Sequence, residues 1–130
     1  GRLATAMHAV YGPNSLRATS EEQIHRFFAR SGTDLFTLLP RYREDVTFSL
    51  GNILEPRTYR PAQPYDVIFC RNVFIYFSES ALHRALAHFA SVLRPGGLLF
   101  LGHSESIIGV SDAFKTVRLA RCIAYQRTSP

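Results

Sequence analysis

The chain has 130 residues, 46% of them hydrophobic and 19% charged, which supplies enough apolar material for a buried core and excludes a disordered chain. No apolar run approaches the ~20 residues of a membrane span, so we expect no direct membrane insertion. The net charge of +5 comes from scattered arginines rather than a basic tract, and we therefore expect no nucleic-acid partner.

Two helices are predicted near the N-terminus. Residues 2–10 carry apolar side chains at helical spacing, and the sequence Tyr-Gly-Pro-Asn at 11–14 breaks that pattern. A second helix begins after Ser20, which forms a capping box with Gln23, and Gly32 is expected to end it.

The middle of the chain is predicted to contain one short strand between irregular segments. Residues 33–45 are expected to be irregular, because Pro40 allows at most a short or edge strand. Residues 46–50 are predicted as a strand, and the proline-containing residues 55–64 as a loop.

The C-terminal half predicts a strand–helix–strand unit followed by a hairpin. The apolar runs at 65–70 and 98–102 fit strands buried in a parallel sheet, and a helix capped by Ser78 connects them. Two further strands are predicted to pair antiparallel, at residues 114–119 and 122–126. The expected fold class is therefore α/β with an antiparallel terminal hairpin.

The two cysteines, Cys70 and Cys122, lie in apolar strand-like runs. We expect both to be buried thiols in a reducing compartment, which favours a cytoplasmic protein. The histidine spacings of zinc enzymes do not occur in the sequence, so no metal site is expected.

Polar residues follow three of the predicted strands, at 51–53, 71–72 and 103–106. Ligands of open α/β sheets bind beyond the carboxyl ends of the parallel strands, which makes these segments candidates for a site. Polar residues also simply begin loops, and for any one segment that is the simpler interpretation. Residues 102–106 nearly match the hydrolase motif G-x-S-x-G, but no histidine follows, so they are interpreted as loop residues.

Arg71 and Asn72 interrupt an otherwise apolar run. Burying a guanidinium group costs several kcal/mol unless it is paired, so Arg71 is expected to meet either a carboxylate of the protein or an anionic ligand. The residues alone leave both interpretations open. Tyr76 either faces a cleft or packs in the core with its hydroxyl group satisfied.

Two stretches of the sequence resemble the CheR family of chemotaxis receptor methyltransferases, YDVIFCRNVFIYF at 65–77 and LRPGGLLFLGHSES at 93–106. The similarity extends upstream through EEQIHRFF at 21–28 and VTFSLGNILE at 46–55. The resemblance implies an S-adenosylmethionine-dependent enzyme that esterifies receptor glutamates and leaves S-adenosylhomocysteine as product. A glutamate carboxylate is already ionised near neutral pH, so this reaction needs no general base.

The resemblance also implies roles for single residues. Asn52 and Ile53 would border the adenine end of the cofactor, and Arg71 and Asn72 would lie beside its methionine and ribose portion. Tyr76 would be the catalytic residue near the transferred methyl group, where its hydroxyl donates a hydrogen bond or orients the acceptor carboxylate.

The same resemblance implies a partial Rossmann-like sheet of the class I methyltransferases, whose strand order is 3-2-1-4-5-7-6. Residues 1–130 would supply strands 3 to 7 as the C-terminal portion of that domain, without the first two strands and the Gly-rich cofactor loop. Residues 31–45 would form a reduced β-subdomain or an irregular insert. We therefore expect a fragment whose open strand edges can form a dimer. A non-catalytic binding or scaffold module is the alternative to an enzyme.

Overall fold

A computed structural model describes residues 1–129, and Pro130 lies outside the described range. The chain divides into two compact units, Gly1–Leu50 and a second that begins at Gly51. Each unit has its own β-sheet, and the assignment of residues 1–130 to a portion of one methyltransferase domain stays a prediction. Across the described part of the chain, no helix has both the length and the apolar character that crossing a bilayer requires.

The first unit consists of two short helices and a three-stranded antiparallel sheet of order β1-β3-β2. In chain order its elements are α1 (Arg2–His8), β1 (Val10–Tyr11), α2 (Glu21–Phe27), β2 (Phe28–Ser31) and β3 (Leu35–Leu38). The predicted capping box is confirmed. The hydroxyl of Ser20 accepts from the Gln23 N–H, and Gln23 Oε1 accepts from the Ser20 N–H, each at 3.2 Å.

A tight hairpin replaces the predicted end of the second helix and the start of the irregular segment. Helix α2 ends at Phe27, and β2 pairs with β3 across a turn in which Gly32 has a φ of +70°. Because glycine adopts this left-handed conformation without strain, Gly32 serves as a turn residue rather than as a helix stop. The expectation that residues 33–45 are irregular is wrong for Leu35–Leu38, which forms the central strand of this sheet.

Residues 46–50 do not form the predicted strand. Val46 donates its N–H to the Arg43 carbonyl at 3.1 Å, which is a turn contact. The apolar side chains of Phe48 and Leu50 are exposed, that of Leu50 at 87%. A strand needs a neighbour to pair its N–H and C=O groups, and within residues 1–129 no strand lies alongside this segment.

The second unit contains the predicted strand–helix–strand crossover and the predicted C-terminal hairpin. Its main elements are β4 (Tyr65–Cys70), α3 (Glu79–Val92), β5 (Leu93–Leu101), β6 (Phe114–Arg118) and β7 (Ile123–Arg127). The sheet order is β4-β5-β7-β6. Strands β4 and β5 are parallel, whereas β7 is antiparallel to both of its neighbours. This mixed sheet confirms the α/β class.

Helix α3 and the central strand β5 build the core of the second unit. Ser78 caps the helix as predicted, because its hydroxyl accepts from the Ala81 N–H at 3.3 Å. The helix covers one face of the sheet with side chains spaced by three or four residues. The fully or almost fully buried side chains of this core include Leu86, Phe89, Leu93, Leu99 and Tyr125.

Strand β5 starts earlier than the sequence predicts. Its register pairs Tyr65 with Leu93 and then Val67 with Leu98, so residues 94–97 form a bulge opposite a single residue of β4. The Pro-Gly-Gly sequence at 95–97 lies in this bulge and interrupts the pairing inside the strand.

Strand β4 lies at an edge of its sheet, with one neighbour in the described residues. The expectation that this strand is buried is wrong, because Tyr65, Val67 and Phe69 are exposed, Phe69 at 72%. The ring of Phe69 stacks on that of Phe100 with 4.9 Å between the centroids. An apolar surface therefore adjoins an unpaired strand edge.

Candidate functional site

Two of the three polar segments meet at one edge of the second unit's sheet. Cys70 at the end of β4 is the register partner of Leu101 at the end of β5, so residues 71–72 and 103–106 leave the sheet side by side. The third segment, residues 51–53, does not follow a strand, because residues 46–50 are not one. The geometry thus places Arg71 and Asn72, but not the third segment, beyond adjacent parallel strand ends.

Glu105 connects the two segments through its carboxylate. One oxygen, Oε2, accepts from the N–H groups of Asn72 at 2.8 Å and Gly102 at 2.7 Å. The other oxygen, Oε1, accepts from those of Val73 at 2.9 Å and Phe74 at 2.8 Å. Four backbone donors that leave the strand ends therefore share one anionic acceptor.

The environment of Glu105 favours its charged form. Burial by itself raises the pKa of this carboxyl, but the N–H bonds from Asn72, Gly102, Phe74 and Val73 together hold the pKa below its usual value. Space is equally restricted at Gly102, where an added Cβ would lie 2.7 Å from Glu105 Oε2 and 2.9 Å from the Asn72 nitrogen. This carboxylate therefore fixes the backbone after both strands.

Sequence reasoning missed this role of Glu105, which it interpreted as a loop residue. The available signal was an acidic residue three positions after a glycine at the end of a buried strand. Its four partners include residues that lie 31 to 33 positions earlier, so only the folded chain shows them.

Arg71 is exposed and lines an open cleft of about 640 Å³, whose other wall is the turn between β6 and β7. Its guanidinium group is therefore not buried, so no cost of burial requires a partner for it. Arg71 follows the strand end directly, and Asn72 behind it adopts the left-handed conformation with a φ of 59°. Within residues 1–129 the Arg71 guanidinium forms no ion pair, so its charge is available to an anion.

Tyr76 projects from the short helical turn Phe74–Tyr76 that follows β4. Phe74 anchors this turn in the core and packs its ring 6.0 Å from that of Phe89. Tyr76 itself is 82% exposed and is not one of the residues that line the cleft with Arg71. The structure therefore excludes a packing role in the core for this ring, and its catalytic role stays a prediction.

Asn52 and Ile53 lie in a compact turn of their own. Asn52 Oδ1 accepts from the Leu54 N–H at 3.0 Å, and its Nδ2 donates to Glu55 Oε1 at 3.2 Å. The half-buried Ile53 packs against the hydrophobic core, and its carbonyl accepts from the Tyr59 hydroxyl at 3.0 Å. Neither residue lines the cleft at Arg71, so their contact with an adenine ring stays a prediction.

The two cysteines have different environments. Cys70 is buried as expected, and burial, with the charge of Glu105 as a smaller cause, raises the pKa of its thiol to about 11. Cys122 is exposed in the turn between β6 and β7, so the expectation that it is buried is wrong. The residues Leu119 to Cys122 form the turn itself, outside the paired part of the hairpin. In the described range no three His, Cys, Asp or Glu side chains cluster as metal ligands do.

Known proteins match most of this chain. Residues 2–123 match the family described as "CheR methyltransferase, SAM binding domain". The chain is 41% identical over 116 residues to a chemotaxis protein methyltransferase of Salmonella typhimurium, covering 86% of this chain and 40% of that protein. It is 37% identical over 110 residues to chemotaxis protein methyltransferase Cher2 of Pseudomonas putida, covering 85% and 39%.

A third relative, chemotaxis protein methyltransferase 2 of Vibrio cholerae, is 30% identical over 127 residues, which cover 98% of this chain and 44% of that protein. The chain thus spans about two fifths of the length of these relatives. The family match extends over almost all of the 130 residues and contains both strand-end segments. The chain belongs to the CheR methyltransferase family, in its S-adenosylmethionine-binding domain.

Proposed function

We propose that this chain forms part of an S-adenosylmethionine-dependent protein-glutamate O-methyltransferase that acts on chemotaxis receptors. The observation that carries the proposal is the polar edge beyond β4 and β5, where Arg71 is free for an anion and Glu105 fixes the backbone of Asn72. The sheet order β4-β5-β7-β6 supports it, because it matches the 4-5-7-6 part of the class I strand order.

The residues at this edge fit the methionine end of the cofactor. The exposed Arg71 guanidinium offers a fork of donors to a carboxylate, and the cleft of about 640 Å³ lies in the range of small-molecule sites. At Gly102 no Cβ would fit beside Asn72, so the backbone approaches closely there. When bound, S-adenosylmethionine supplies a methyl group on a positively charged sulfur, and S-adenosylhomocysteine is what remains after its transfer.

The protein's own residues would contribute binding and orientation rather than proton transfer. The acceptor carboxylate is ionised near neutral pH, so no side chain has to remove a proton from it. Arg71 would hold the cofactor, and the exposed Tyr76 hydroxyl would donate a hydrogen bond that orients the acceptor. Asn52 and Ile53 would border the adenine end of the cofactor. The surface of their turn would make this contact, because the Asn52 side-chain amide already forms hydrogen bonds within the turn.

The experiment is a titration of S-adenosylhomocysteine into the isotope-labelled chain, followed by nuclear magnetic resonance. The proposal expects the amide signals of Arg71 and Asn72 to move, with those of Asn52 and Ile53 reporting on the adenine end. Arg71→Gln should weaken binding about tenfold through the loss of a charge-assisted hydrogen bond, whereas Arg57→Gln on the same unit should not. Unmoved signals at a large excess of ligand would contradict the proposal and favour a non-catalytic module.

The open edge of β4 supports a second part of the proposal, which is pairing with another copy of the chain. Unpaired backbone groups next to the exposed Val67 and Phe69 side chains are a template for strand addition. A β4–β4 contact between two copies would pair the open backbone groups of this edge.

A further inference from the structure

Three arginines line the cleft beyond the strand ends. Arg71 comes from the end of β4, whereas Arg118 and Arg121 come from the end of β6 and the turn that joins it to β7. The turn is closed by a hydrogen bond of 2.9 Å from the Leu119 N–H to the Cys122 carbonyl. Arginines far apart in the sequence thus line one space of about 640 Å³.

The positive charge of this cleft is not balanced by the protein. None of the three guanidinium groups forms an ion pair within residues 1–129. Glu105 is the one carboxylate among the residues that line the cleft, and both of its oxygens already accept two backbone N–H groups each. By contrast, Arg94 outside the cleft pairs with Asp66 at 2.5 Å.

The same cleft also carries exposed apolar side chains. Ile108, at 66% exposure, and Leu119 and Ile123 line it together with the arginines. A free inorganic anion or a single small carboxylate gains nothing from such a surface. A polypeptide segment that carries both acidic and apolar side chains uses both features.

We propose that Arg118 and Arg121 form a carboxylate subsite that binds an acidic, amphipathic segment of the protein substrate around its acceptor glutamate. This inference rests on the proposed function, which assigns Arg71 to the single carboxylate of the cofactor. The two remaining guanidinium forks then serve carboxylates of the substrate, which they bind in bidentate fashion. The subsite prefers an ionised glutamate to its neutral methyl ester, so it favours substrate over product.

The test measures fluorescence anisotropy of a labelled helical peptide with a central Glu–Glu pair among leucines and alanines. The peptide is mixed with the 130-residue chain in an excess of S-adenosylhomocysteine, whose carboxylate occupies Arg71. A twin peptide carries Gln–Gln instead. The inference expects the Glu peptide to bind about tenfold more tightly than its twin, as hydrogen bonds to charged groups require. Equal binding of the two peptides by the unaltered chain overturns the inference without any need for a variant.

Variants identify the arginines that cause the preference. The double variant Arg118→Gln/Arg121→Gln is expected to bind both peptides equally. Arg118→Lys/Arg121→Lys keeps the charge but loses the planar fork, so it should retain only part of the preference. The control Arg57→Gln/Arg60→Gln removes the same charge outside the cleft and should leave the preference intact. An equal loss in this control would show an effect of net charge only and overturn the subsite.

A parallel titration of S-adenosylhomocysteine separates the two possible sources of the carboxylate. If Arg118→Gln/Arg121→Gln abolishes binding of this ligand, the two arginines serve the cofactor and the inference is wrong. If the unaltered chain fails to bind the ligand but still prefers the Glu peptide, the proposed function fails while the peptide subsite stands. Unchanged ligand binding with loss of peptide preference is the expected result.

Discussion

At the scale of single residues, the Glu105 carboxylate organises the end of the sheet. It accepts N–H groups from two loops that the sequence separates by about thirty residues. It also stabilises Asn72 in a left-handed conformation, which costs about 1 kcal/mol or more for a residue other than glycine. The backbone next to Arg71 and the turn that carries Tyr76 therefore both depend on the charged carboxylate of Glu105.

Glu105→Gln is expected to lower the free energy of unfolding by about 3 kcal/mol, because the amide NH₂ group faces N–H donors that lose their acceptor. The native pKa of Glu105 is depressed. Its contribution is therefore fully present above the unfolded-state value of about 4.3 and is lost as pH falls through the native pKa. Urea denaturation at neutral and acid pH measures both effects.

The exposed Glu44→Gln serves as the control for this prediction and should change the stability little at either pH. If Glu105→Gln loses stability between neutral and acid pH as steeply as the unaltered chain, the assignment of that pH dependence to Glu105 is wrong.

At the scale of elements, the sequence correctly predicted the features that depend on contacts between neighbouring residues. The capping side chains of Ser20 and Ser78 and the existence of β4 and β5 were predicted from neighbouring residues. The predicted burial of β4 is wrong, because burial depends on what lies next to the strand. Residues 46–50 have a comparable strand pattern but lack a pairing partner in the described chain, and partners are not visible in a local window. Pairing with β2 likewise makes Leu35–Leu38 a strand, although the nearby Pro40 had favoured an irregular segment.

Substitution of two leucines tests the difference between a paired strand and an unpaired segment. Leu99 is fully buried in the central strand β5, whereas Leu50 is 87% exposed at the end of the unpaired segment. Leu99→Ala is expected to lower the free energy of unfolding by about 3 kcal/mol through lost burial and a residual cavity. Leu50→Ala should change it by less than about 0.5 kcal/mol. Denaturation followed by circular dichroism compares them, and similar losses would contradict the observed division into paired and unpaired segments.

At the scale of the whole molecule, the sequence predicted where the candidate site lies better than it predicted which residues line the site. The rule that ligands bind beyond parallel strand ends selected Arg71 and Asn72, and the sheet places them there. Arg118 and Arg121 were not selected, because they lie at the turn between two antiparallel strands and reach the cleft only through the sheet order β5-β7-β6. Topology, which depends on long-range packing, decides which loops share an edge.

The same topology leaves β4 at an open edge, and this predicts association between copies of the chain. Pairing at that edge brings Phe69 of each copy toward the contact, so Phe69→Lys places two cations where backbones approach. Sedimentation velocity over a range of concentrations is expected to show dimers for the unaltered chain and monomers for Phe69→Lys. Leu50→Lys introduces the same charge at an exposed position outside the sheet, and dimers should persist. Monomers at every concentration in the unaltered chain would rule out pairing through β4.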